Sequence, residues 1–182
     1  MIVEIVSVAI AVIAALASAF FSVRALRAQA FQNRLQYAAL KDQFFSDFRR
    51  WASDSTDQLS LAVHLCELDP NKCEPPSLFE RRLMLRTRLS TLIDRGRFFM
   101  PNRTPEIDYQ DQEDAYRGYR HELLDSLVAA YDLATILDYK NEETNRDLRE
   151  QFVAVKREFV TQAQEILDPR ARDREFEQLM EQ

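Results

Sequence analysis

The first 69 residues of this 182-residue chain contain neither proline nor glycine. So long a stretch without a chain-breaker offers no tight reversal, and a long helical element is the expectation. The whole chain holds only two glycines and six prolines. That is too few turn-formers for a sandwich, a barrel, or a nucleotide-binding sheet whose glycine-rich loops must approach phosphate. The expected fold class is all-α.

Within this stretch Ile5 to Val23 is a run of 19 uncharged residues. At 1.5 Å per residue it reaches roughly 28 Å, close to the ~30 Å hydrocarbon core of a bilayer. Arg24, Arg27 and Arg34 follow the run, and only Glu4 precedes it. The positive-inside rule then places the N-terminus outside and residues 24–182 in the cytosol, as a single-pass protein of the bacterial inner membrane. Arg24, Arg27 and Arg34 are the expected membrane-interface residues, and the lipid bilayer is the first expected partner. The anchor's Ala9, Ala11, Ala14, Ala15, Ala17, Ser18 and Ala19 either permit close helix contacts in lipid or merely fill a spanning helix.

A cleaved signal peptide competes with the anchor, since Ala17-Ser18-Ala19 has the small-x-small form of a processing site, although the opening MIVE lacks a basic residue. In an exported chain Cys66 and Cys73 would close a short disulfide loop. In the cytosol they are thiols, with Cys66 on the apolar stripe of Leu59, Ala62 and Val63. His64 and the two cysteines lack a fourth ligand, so neither a metal nor another cofactor is expected.

Downstream, Tyr37, Leu40, Phe44, Phe48 and Trp51 recur at spacings of three and four and predict an amphipathic stalk. The polar cluster Ser53–Asp57 is the expected place for a kink or re-start, and Asp69-Pro70 the expected end. A second helix is expected from Ser77, where Ser77-Leu78-Phe79-Glu80 matches a capping box, with the stripe Leu78, Leu85, Leu89, Leu92 and Phe99 and a fraying end at Gly96. Residues 101–114 read as a loop. A third, mostly buried helix is expected over Tyr116–Lys140, and a fourth after Asn141, carrying Leu148, Phe152, Val155, Phe159, Ala163 and Ile166 on one face. The domain plan is thus an anchor at 1–23, a stalk and first bundle helix at 24–69, the rest of an up-down four-helix bundle at 70–169, and a charged tail at 170–182.

Charge is segregated along the chain. Residues 24–53 hold six basic and two acidic side chains, residues 80–103 seven and two, and residues 104–150 five and thirteen. Arg81, Arg88 and Arg95 repeat every seven residues along one flank of the second helix, with Arg82, Arg86 and Arg97 elsewhere on it and Arg120 as a further binding candidate at the start of the third. A row of cations suits a phosphate or RNA track. Against that use, pairing with the acidic third and fourth helices is the preferred expectation in a chain of net charge −6, so nucleic acid is the disfavoured partner. Chemistry is suggested at one place, Tyr116-Arg117-Gly118-Tyr119-Arg120-His121-Glu122. On a helix Arg117 and His121 share a face, and an arginine to hold phosphate beside an imidazole suits metal-independent RNA cleavage.

A single N-terminal membrane helix followed by an all-helical domain with an Arg/His helix resembles the membrane-associated accessory proteins of RNA-guided type VI bacterial immunity, whose soluble part is similar to divergent HEPN domains. The resemblance implies self-association, a membrane pore and defence against phage. The HEPN signature places four to six residues between Arg and His. Here three separate Arg117 from His121, and Gly118 replaces the usual polar residue. The segments LSTLIDRGRFFMPN and YRGYRHELLDSLVAAY also resemble those of uncharacterised bacterial single-pass membrane proteins. The function expected is a non-enzymatic, membrane-anchored helical module that binds a protein partner or itself, with no small-molecule substrate. The alternatives are a tethered ribonuclease using Arg117 and His121, or an exported helical protein.

Overall fold

In the computed structural model, residues 2–69, 72, 75–100, 102, 118–137, 142–168 and 170 are described, with side chains from residue 15 onward except those of 75, 76 and 142. Four helices occupy them: α1 Ile2–Leu65, α2 Pro75–Phe99, α3 Glu122–Ile136 and α4 Glu142–Leu167. The protein is an all-helical bundle. It divides into two compact units, Met1–Ser46 and Asp47–Gln182.

In the first unit every described side chain from Ala15 to Tyr37 is exposed, and so are Leu40 and Phe44. Among the described residues no helix is long and apolar enough to cross a membrane. Of the uncharged run Ile5–Val23, the side chains up to residue 14 lie outside the described residues. The expected stalk stripe splits at the unit boundary. Tyr37, Leu40 and Phe44 are exposed, whereas Phe48 and Trp51 are fully buried in the second unit.

The expected re-start at Ser53–Asp57 does not occur, for α1 runs through it unbroken. Ser55 and Thr56 turn their hydroxyls back onto the carbonyl oxygens of Trp51 and Ala52, at 2.9 and 2.8 Å, and Ser60 does the same to Thr56 at 2.7 Å. These back-bonds satisfy the hydroxyls within the helix, so they do not compete for the backbone groups of another conformation.

The core of the second unit gathers around Trp51. Its indole N–H donates to the carbonyl of Leu92 on α2 at 2.9 Å, which satisfies the one polar atom that full burial would otherwise orphan. Its ring meets those of Phe48, Phe99 and Phe159 with centroids 5.4, 5.9 and 5.7 Å away. Around it the stripes read from periodicity lie inward: Leu78, Leu85, Leu89 and Leu92 on α2, Leu123, Leu124 and Leu127 on α3, and Leu148, Phe152, Phe159 and Ala163 on α4. α3 packs against both α2 and α4. Each such side chain contributes about 1.5–3 kcal/mol when taken fully out of water.

Two helix starts differ from expectation. α2 begins at Pro75 rather than Ser77. A proline in the first turn needs no N–H, because that group has no intrahelical partner anyway, so Pro75-Pro76 open the helix instead of preceding it. α2 also extends through Gly96 to Phe99. α3 begins at Glu122 rather than Tyr116 and ends at Ile136 rather than Lys140. Gly118 adopts φ 89°, a conformation that excludes it from a right-handed helix. Asn141, most of the 101–114 loop, and residues 171–182 lie outside the described residues.

Candidate functional site

The late start of α3 sets the position of His121. His121 is the N-cap of α3, with φ −68° and ψ 138°, and its Nδ1 accepts the backbone N–H of Leu123 at 3.2 Å. One of the orphan donors of the first turn is satisfied in this way. Residues 118–121 are not helical, so α3 begins past His121, and Arg117 lies outside the described residues. Arg120 meets Asp125 of the first turn at 3.1 Å. These groups organise a helix entrance.

Of the row Arg81, Arg88 and Arg95, the last two border α1, and Arg81 is exposed. Arg95 pairs with Asp54 of α1 at 3.4 Å, each side chain about half exposed. Arg88 and Arg95 line a groove of about 290 Å³ with Asp54, Asp57, Gln58, Thr91 and Leu92. At Arg95 the pairing expected with α3 and α4 is instead made with α1. Two carboxylates facing two guanidinium groups lower the local positive potential, and a phosphate backbone following this flank would meet them. Arg97 lies near Asp94 of its own helix at 3.9 Å.

The arginines that do reach α3 are two that the heptad spacing passed over. Arg82 Nη1 donates to the carbonyl of Leu137, the C-cap of α3, at 2.8 Å. A cation there satisfies a terminal carbonyl and opposes the negative end of the helix dipole. Arg86 Nη2 donates to the Tyr131 hydroxyl at 3.0 Å, and its guanidinium carbon stands 5.1 Å from the centroid of that ring. Only the inward stripe of α2, with Arg82 and Arg86 on the side away from Arg88 and Arg95, would have signalled this.

A second hollow, about 330 Å³, lies where α1 ends and α4 begins, lined by Cys66, Glu67, Leu68, Asp69, Asn145, Arg146 and Arg149. Arg149 clamps Glu67 at 2.7 Å, and His64 Nδ1 lies 3.1 Å from the other carboxylate oxygen. These two partners hold the Glu67 carboxyl below its usual range, His64 first. Burial pushes the Cys66 thiol up from 9.0 to about 11, only partly opposed by the Arg149 charge. A thiol so placed is a packing group rather than a nucleophile at neutral pH. Cys73 lies outside the described residues.

Compared with protein families, with curated proteins and with solved structures, the chain matches none.

Proposed function

We propose that this chain is a membrane-tethered helical module, non-enzymatic, whose cytosolic bundle serves as a contact surface for protein. The observation that carries the proposal is the run Ile5–Val23 followed by Arg24, Arg27 and Arg34, with Glu4 alone before it. An uncharged helix of this length matches the hydrocarbon thickness, and its charge asymmetry orients residues 24–182 toward the cytosol. Each arginine near an anionic leaflet adds about 1 kcal/mol of attraction. The bundle follows in up-down order as the attached domain.

Polar groups read as candidates for catalysis or binding also have structural employment. His121 caps α3, Arg120 engages Asp125, and Arg95 engages Asp54. Protein contact fits such a surface better than turnover does.

Topology mapping tests the proposal. A tag after Gln182 should be cleaved by external protease in inside-out vesicles and spared in right-side-out ones, and the mature chain should keep its residues before Phe20. A mature chain that starts at Phe20 would establish the signal peptide instead.

A further inference from the structure

We propose that Leu26 to Phe44 of α1 form one strand of a parallel two-stranded coiled coil, the second strand being another copy of this chain. The inference deepens the tethering proposed above, in that a shared membrane would present both copies in the same direction. The segment lies wholly within the Met1–Ser46 unit. Leu26, Ala30, Asn33, Tyr37, Leu40 and Phe44 alternate at spacings of four and three, so they form one stripe along the helix. All six are exposed, with Leu26, Tyr37 and Leu40 at 65%, 57% and 66%.

The flanks of that stripe identify the occupant. In heptad notation Ala30, Tyr37 and Phe44 take position a, and Leu26, Asn33 and Leu40 take position d. Position e is then Arg27, Arg34 and Lys41, and position g is Gln29, Gln36 and Gln43. Three successive cations line one side of the stripe, and three successive amides line the other. In a parallel pair each g position faces the e position five residues on in the other strand, so Arg34 meets the Gln29 carbonyl, Lys41 meets that of Gln36, and Arg27 meets the Ser22 hydroxyl. In an antiparallel pair e faces e, and the cations would confront one another. The flanks are therefore self-complementary when the second strand is a parallel copy. Asn33 interrupts the apolar stripe at mid-length, at a d position, where its amide meets that of its own copy. Phe31 and Leu35, exposed at positions b and f, lie away from the seam.

Disulfide trapping of the full chain in native membranes reads this geometry. Ala30→Cys and Tyr37→Cys place identical a positions against each other, whereas Gln32→Cys and Leu35→Cys lie on the outer face. The unsubstituted chain sets the background from Cys66 and Cys73. Covalent dimers should form about tenfold faster at 30 and 37 than at 32 and 35, because only the seam pair is held at high effective concentration. Equal rates at all four positions, or none above background, would overturn the proposal. As a second measure, Leu40→Asp should convert the detergent-solubilised dimer to a monomer with helicity unchanged; a mass that does not move also overturns it. Failure of the seam in a chain that stays with the membrane leaves tethering intact. Seam crosslinks in a chain recovered from the soluble fraction would instead sink tethering.

Discussion

At Gly96 the indole of Trp51 and the side chain of Leu124 come so near that a Cβ would lie 2.7 Å from Cζ2 and 2.4 Å from Cδ2. Leu124 Cδ2 is the end of a side chain that can shift, but Trp51 is held by its bond to Leu92 and by three aromatic neighbours. Gly96→Ala should gain about 1 kcal/mol of helix propensity and lose roughly 1–3 to overpacking, so the Tm should fall by a few degrees in a thermal melt. A rise would mean that the indole is free to move. Cys66 gives a second residue-scale expectation. Its folded pKa of about 11 exceeds the ordinary 9.0. The folded state thus holds the thiol proton more tightly, and this contribution is fully present below pH 9.0 and is lost as pH rises through about 11. Denaturant midpoints should drop across that window in the native chain and drop less in Cys66→Ala. Equal slopes would contradict the assignment.

At the scale of the element, burial periodicity made much of the fold legible before any coordinates. The inward stripes of α2, α3 and α4 are the ones their spacing marks, because a helix in a bundle has to hide one face. Helix boundaries were less legible, for reasons that lie in particular residues. His121 is an unusual N-cap, so its bond to Leu123 left no recognisable signal, and the positive φ of Gly118 belongs to the turn rather than to a helix. Ser55 and Thr56 look like a break in sequence but bond back within α1. The arginines were the least legible, since which acid or carbonyl each one meets depends on which helix lies beside it. Arg82 and Arg81 are neighbours, yet Arg82 caps α3 while Arg81 is exposed. Arg82→Ala should cost about 1–2 kcal/mol and Arg81→Ala under 0.5, read from urea denaturation midpoints. Comparable losses would show that the α3 cap carries no weight.

For the whole molecule, two kinds of helix surface meet in one chain. The second unit hides its apolar stripes around Trp51, whereas the first unit leaves Phe20, Phe21, Leu26, Phe31 and Leu40 exposed. Contiguous apolar surface on that scale marks an interaction site. The candidate site shrank as the bundle took shape. Arg95 and Arg120 are engaged by acids and His121 by a backbone amide, while Arg117 lies outside the described residues. Membrane tethering is thus the claim on which the functional account stands, and extraction of native membranes at alkaline pH tests it most directly. The full chain should remain in the membrane pellet with integral proteins and be released only by detergent. Recovery of the intact chain in the alkaline supernatant would contradict the account.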